Sequence, residues 1–482
     1  MQRAYRPHLF YGQTQSLCET CLHPVPAKIV IEDELVFFQK RCPQHGYQKT
    51  LVSTDAEYYR RCRDWLKPGD IPLKFQSRTH SGCPFDCGLC PDHEQHSCLA
   101  LIEVNEHCNL TCPVCFADSA PHRPKHLDLA TIEGMMDTLV ASEGEPDLLQ
   151  ISGGEPTLHP QILDILRAAK RRPIRHLMLN TNGLRLAREP DFVKQLAEFT
   201  PGFEIYLQFD SLEREALMQI RGADLRSIRQ QALENLERHN ISTTLVAVLK
   251  KGVNDREIGA IVRHALNWNC VRGVTFQPVQ DAGRNENFDK NRDRVLLSDI
   301  RRGLIEQDCG FAADDIIPLP CNPESITIGY ALRDGKKLTP ITSLLPREDL
   351  LRDGPNTIAY EKFPALKERL FQLMSLSAAG EMTDLKLREL LCCLPQFEVP
   401  DAIGYDRVFR VLGIQFLDRF NFCVAQVKRS CIHFVTPESR IIPFDTYNLL
   451  YRDGTDKRIR RELGWSETAA ARREFAEVGE RP

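Results

Sequence analysis

Three cysteines spaced C-x3-C-x2-C, in Cys108-Asn-Leu-Thr-Cys112-Pro-Val-Cys115, constrain this 482-residue chain more than any other stretch. Iron–sulfur cubes normally take four thiolates, so three on one short loop ligate three irons and leave the fourth open to a further ligand. The run just before the loop, Leu99 to Val104, reads as a strand. A second strand-like run, Leu148-Leu149-Gln150-Ile151, leads into Gly153-Gly154-Glu155-Pro156. A glycine pair after a strand is an ordinary turn when it stands alone. Beside a three-cysteine loop it gains weight, because glycine lets the backbone come close to a ligand.

Other cysteines fall into spaced sets. Cys18-Glu-Thr-Cys21 and Cys42-Pro-Gln-His45 flank Lys28-Ile-Val-Ile-Glu-Asp-Glu-Leu-Val-Phe-Phe-Gln-Lys40, which predicts two short strands around an acidic turn. Two knuckles with four N/S ligands on a hairpin suit tetrahedral zinc, with a mononuclear rubredoxin-type iron as the competitor. The plain alternative leaves these thiols free and His45 a turn residue. Next, Cys83-Pro-Phe-Asp-Cys87-Gly-Leu-Cys90, followed by His93, His96 and Cys98, offers four thiolates in a C-x3-C-x2-C-x7-C pattern. That set predicts a fully ligated second cube, which would relay electrons or order the fold; a zinc site using His93 or His96 is the competing reading. Cys62 and Cys270 have no spaced partner and read as small buried hydrophobes.

From Leu99 to about Gln280 strand-like and helix-like patterns alternate, which argues for βα units and a parallel sheet. The candidate strands are Leu99 to Val104, Leu148 to Ile151, His176 to Asn180, Phe203 to Phe209, Ser242 to Leu249 and Gly273 to Pro278. Helical stripes lie between them: Ile132, Met135, Met136, Leu139 and Val140; Ile162, Ile165, Leu166 and Ala169; Ile258, Ile261, Val262, Ala265 and Leu266. Beyond Asp281 the alternation breaks at a polar run, Asn285 to Arg294, and a C-terminal α+β region follows, ending in an Arg/Glu-dense stretch from about Thr455. The expected units are a metal ribbon over 1–78, an auxiliary cluster segment over 79–98, a core over 99–285 and a substrate-covering region over 286–482.

Composition excludes some functions. With 62 basic against 66 acidic residues the chain has no cationic excess for nucleic acid. Its N-terminus, Met-Gln-Arg-Ala-Tyr-Arg-Pro, lacks an apolar signal segment, so 18 cysteines predict metal binding in a reducing cytoplasm rather than disulfides. No apolar run approaches the ~20 residues that span a bilayer. Peripheral contact with lipid stays open.

Together the three-cysteine loop and Gly-Gly-Glu resemble the radical S-adenosylmethionine (SAM) superfamily. The resemblance implies a partial (β/α)6 barrel whose open iron chelates SAM and reduces it to methionine and a 5′-deoxyadenosyl radical that attacks unactivated C–H bonds. It gives Cys108, Cys112 and Cys115 the SAM-cleaving cube and the Gly153-Gly154-Glu155 backbone the methionyl amino group, with Glu155 adding negative charge near the ammonium. Asn182, Gln208, Asp210 and Ser211, at two further strand ends, would touch the ribose or carboxylate of SAM, and Arg221 would pair with its carboxylate. For Asp210 and Ser211 turn or cap duty is the alternative, and for Arg221 a surface position.

The run from His80 to Ala117, the Cys42-Pro-x-His-Gly46 knuckle, Val274-Thr-Phe-Gln-Pro-Val279, Ile432-His-Phe-Val-Thr-Pro437 and Ile441-Ile-Pro-Phe444 are similar to one branch, that of archaeal tetraether lipid synthase and pterin-methylase relatives. Relatives of the lipid synthase type carry further cysteines near the C-terminus. Here Ser325 and Asp445 stand in their place, leaving Cys321 and Cys431, so no cluster is expected there; instead their pocket is expected to hold substrate, though Asp445, Cys392, Cys393 or Cys423 could complete a set. The resemblance implies methylation or C–C bond formation on a lipid-like or pterin-like substrate, with an external donor such as flavodoxin or ferredoxin. A peptide-modifying radical SAM enzyme and a non-catalytic electron-relay scaffold are the alternatives.

Overall fold

The computed structural model describes residues 7–123, 125–285, 287–344 and 407–465. Its N-terminal ribbon is wider than the predicted hairpin. Strands β1 (Leu9–Leu17), β2 (Pro24–Glu32), β3 (Leu35–Cys42) and β4 (Gly46–Ser53) pair antiparallel in sequence order. The acidic turn falls at Asp33-Glu34, both with positive φ, as a tight two-residue hairpin requires. Alternate residues of β2 and β3, among them Ile29, Ile31, Val36 and Phe38, pack against Tyr59 of the helix Ala56–Asp64, which Asp55 caps by accepting from the Tyr58 amide.

Six parallel strands form the core sheet close to where they were expected: β5 (Leu99–Glu103), β7 (Leu148–Ser152), β8 (His176–Thr181), β9 (Phe203–Gln208), β10 (Thr243–Leu249) and β11 (Val271–Pro278). A short β6 (Val114–Cys115) on the cysteine loop pairs with β12 (Arg284–Asn285). Helices Leu129–Glu143, Ile162–Lys170 and Ile258–Ala265 bury their predicted stripes in the main core, Met135 and Met136 included, except for Val140, which is half-buried.

The sheet extends beyond these six strands at both edges. On one side β16 (Val408–Ile414) runs parallel to β11, then β14 (Ile326–Asp334) follows antiparallel, flanked by β13 (Ile317–Pro318) and β15 (Lys337–Pro340). On the other side β17 (Ile432–Val435) runs parallel to β5, with β18 (Ile441–Pro443) outside it. The order β13-β14-β16-β11-β10-β9-β8-β7-β5-β17-β18 is a curved open sheet, since no ladder joins its ends among the described residues. Side chains from both ends, Leu101 and Ile432 with Ile328 and Leu412, nevertheless pack in one apolar cluster. Inside the barrel, Arg410 of β16 donates to both oxygens of Glu204 on β9 at 2.7 and 2.8 Å, and the His176 ring lies 3.1 Å from the same carboxylate. Burial opposes charge on Glu204, but Arg410 and His176 overcome it and hold the carboxyl well below the usual glutamate range. Cys392 and Cys393 lie outside the described residues, as does the tail beyond 465.

Candidate active site and metal centres

In parallel barrels reactive groups gather where strands end at their C-termini. Here those ends rim a cleft, with Cys108, Cys112 and Cys115 on one wall. The chain holds the loop open through its own backbone. Gly154 and Glu155 donate their amides to the Asn105 and His107 carbonyls, each at 2.8 Å, docking the Gly-Gly-Glu segment onto the start of the cysteine loop. A Cβ on Gly153, whose φ is +144°, would stand 2.5 Å from Asn105 Oδ1, and one on Gly154 would strike the His107 carbonyl. The glycines thus serve a close approach, made here to the loop that carries the cysteines.

Glu155 is 1% exposed. Its carboxylate accepts from Thr157 Oγ1 (2.5 Å), Thr181 Oγ1 (2.7 Å) and the Asn182 amide (2.7 Å), so it acts as a post joining the ends of β7 and β8. Burial nonetheless pushes its pKa up. Asn182 donates to Asn109 Oδ1 at 2.7 Å, tying β8 to the cysteine loop. Arg221 lines the cleft and grips Asp210 with two bonds, Nε to Oδ2 at 2.6 Å and Nη2 to Oδ1 at 2.7 Å, while Nη2 also reaches Gln208 Oε1 at 2.8 Å. Asp210 and Ser211 are set back from the cleft. Asp210 is fully buried beneath Arg221, and Ser211 bonds Glu257 Oε1 at 2.7 Å. Arg221 is largely buried, its side chain 12% exposed, with a fixed partner in Asp210, and Cys112 also favours its charge.

Two contributors were invisible in the sequence. Arg284, one residue before the polar run, donates to the Cys112 and Ser119 carbonyls (2.6 and 2.7 Å) and to Asp118 Oδ1 (2.8 Å), fastening the loop. Opposite the cysteines, Phe416 and Phe444 stack with centroids 3.9 Å apart, and Phe116 lies 5.3 Å from Phe444. With Gln208, Gln277 and Gln280 they give the cleft a flat aromatic wall and several amides.

The cysteines regroup in space. Cys18, Cys21, Cys42 and His45 bring their ligand atoms within 4.8 Å of one another, as one tetrahedral ion requires. Cys83, Cys87 and Cys90 remain neighbours, and burial pushes all three thiols up, with each of Cys83 and Cys87 also raised by the charge of Cys90. Cys98 does not join them. Its sulfur lies within 4.8 Å of those of Cys321 and Cys431. The spacing C-x7-C suggested a local partner, but Cys98 is the residue before β5 and is drawn into the sheet's apolar end. Cys321 and Cys431 are buried there too and do not line the cleft, which corrects the expectation that they border a substrate pocket. Ser325 faces a separate small cavity beside Tyr58 and Glu324, and Asp445 accepts the Leu417 amide at 2.6 Å.

The radical SAM superfamily profile matches residues 102–265, and a profile for the HMPTM N-terminal zinc ribbon domain matches residues 10–54. The chain is 32% identical to a 7,8-dihydro-6-hydroxymethylpterin dimethyltransferase of Methanocaldococcus jannaschii, across 93% of this chain and 95% of that protein. It is 30% identical to a GTP 3′,8-cyclase of Chlorobaculum tepidum over 40% of this chain and 59% of that protein. Among solved structures, Streptococcus suis SuiB bound to S-adenosylmethionine aligns with a TM-score of 0.36 and 19% identity, covering 43% of this chain and 46% of that chain. The donors fit the groups this family carries: soft, mostly buried thiols in threes along the two C-x3-C-x2-C loops for iron–sulfur clusters, and a Cys3His ribbon for zinc.

Proposed function

The chain belongs to the radical SAM superfamily and is a radical SAM enzyme, and from that premise we propose that it methylates a carbon of a reduced pterin. One observation carries the substrate: 32% identity to a pterin dimethyltransferase over nearly the full length of both proteins. The flat Phe416/Phe444 wall and the amides facing it offer stacking and hydrogen bonds that suit a bicyclic heteroaromatic ring.

Cys108, Cys112 and Cys115 would hold the SAM cluster, which when bound supplies the electron for SAM cleavage. The chain's own groups do the rest. The Gly-Gly-Glu segment fixes the loop, Asn182 braces it through Asn109, and Arg221, immobilised by Asp210, offers a cation at the cleft to a carboxylate. Cys83, Cys87 and Cys90 would hold the auxiliary cluster, its fourth ligand being other than Cys98. A flavodoxin or ferredoxin would supply the electron, and the free described thiols suit a reducing cytoplasm. No described helix is long and apolar enough to cross a membrane.

The test is anaerobic. Reconstituted protein given SAM, dithionite and 7,8-dihydro-6-hydroxymethylpterin should release 5′-deoxyadenosine faster than without the pterin and yield a pterin heavier by methyl groups. Unmodified pterin with unchanged SAM turnover would overturn the substrate.

A further inference from the structure

The open sheet has a seam, and three buried cysteines meet across it. Cys431 and Cys98 stand side by side just before β17 and β5, where the Leu99 amide donates to the Cys431 carbonyl at 3.0 Å. Cys321 comes from the opposite edge, in the turn between β13 and β14, closed by the Asn322 amide donating to the Leu319 carbonyl at 3.0 Å. Its sulfur lies 3.4 Å from that of Cys431, too far for a disulfide bond, which measures about 2.05 Å. All three residues are at most 1% exposed. Three soft donors converging in an apolar cluster are an unusual use of polar groups unless something binds them, since thiolates are the ligands of thiophilic metals.

A further donor stands beside Cys98, grouped with it and Asp147 rather than with Cys321 and Cys431. His96 Nε2 lies 3.4 Å from Cys98 Sγ, and its Nδ1 lies 3.2 Å from Glu143 Oε2. A carboxylate on the far nitrogen is the arrangement that orients a metal-binding imidazole.

We propose that Cys98, Cys321 and Cys431, with His96 beside them, hold a thiolate-bound metal centre that staples the two free edges of the barrel. The staple lies at the N-terminal ends of β5 and β17, the opposite rim from the SAM loop, where parallel barrels place stability rather than chemistry. Among the described residues the backbone supplies no ladder across the seam; the bond from Gln95 Nε2 to the Cys321 carbonyl, at 3.2 Å, and apolar contacts are what the centre reinforces. A single ion and an iron–sulfur cluster share this ligand chemistry, and a metal count separates them.

The test compares the anaerobically purified full chain with Cys321→Ser, the triple Cys98→Ser/Cys321→Ser/Cys431→Ser, and Cys270→Ser, a control that is equally buried and ungrouped. The triple variant should lose either about one zinc or iron, or about four irons with their sulfide, while Cys270→Ser keeps the full count. Its melting temperature should fall further than the control's, and Cys321→Ser, if the triple does not fold, should show the same metal loss in part. His96→Gln should weaken retention against a chelator. Equal metal content in the triple variant and wild type, or a Cys321–Cys431 disulfide in the native protein by mass spectrometry, would overturn the proposal. None of these readouts uses pterin or SAM turnover, so this idea and the proposed activity fail separately.

Discussion

Two loops of this chain share the spacing C-x3-C-x2-C, and their surroundings make them different objects. The loop at Cys108 opens onto a cleft, with Gly153-Gly154, Asn182 and Arg221 around it. The loop at Cys83 is packed shut. Phe85 is buried in an apolar cluster with Leu449 and Leu450, and Tyr451 Oη donates to the Pro84 and Phe85 carbonyls at 2.9 and 2.6 Å. Asp86 ties the approach by accepting three successive amides, from His80, Ser81 and Gly82, each at 2.7 Å. Equal spacing therefore sets how thiolates are presented, while the neighbouring strands decide whether a substrate-sized ligand can reach them.

The largest expected break in this comparison is Cys108→Ala/Cys112→Ala/Cys115→Ala. It should remove about four irons and reduce 5′-deoxyadenosine formation to background; cleavage surviving in that variant would reassign the SAM site. Next is Asp210→Asn, which leaves the Arg221 guanidinium buried beside a neutral partner. Charge-assisted hydrogen bonds contribute about 1.5–3 kcal/mol, so SAM affinity should fall about tenfold or more by equilibrium binding. An unchanged Kd would show that Arg221 does not face SAM.

The matching change in the closed loop, Cys83→Ala/Cys87→Ala/Cys90→Ala, should also cost about four irons yet leave SAM affinity nearly unaltered. If SAM binding collapsed as well, the two loops would form one site. Glu204→Gln serves as the barrel control, far from both loops. Removing one partner of a buried pair costs about 3–5 kcal/mol, read as a lower melting temperature at full iron content. The native pair's contribution is present above the ordinary glutamate range and is lost as pH falls through the depressed value of Glu204. Acid unfolding shifted by Glu204→Gln would confirm the sign, and superimposable acid transitions would refute it.

Local pattern determined a good deal about this protein. The two-cysteine knuckles, the C-x3-C-x2-C loops, Gly-Gly-Glu and six βα units were legible because each is written in residues close along the chain, where spacing fixes geometry. Tertiary structure alone decided the rest. The strand Val408–Ile414 joins the sheet between β11 and β14, and its Arg410 reaches Glu204, some two hundred positions earlier; no periodicity carries either pairing. Arg284 carried no signal in the sequence because two of its partners are the Cys112 and Ser119 carbonyls, groups that every sequence has, and the third is one carboxylate, Asp118. Cys98 was counted with Cys83, Cys87 and Cys90 by spacing, yet its place before β5 sets it against Cys321 and Cys431. Spacing reports which donors are near along the chain; only the curvature that brings two sheet edges together decides which of them meet.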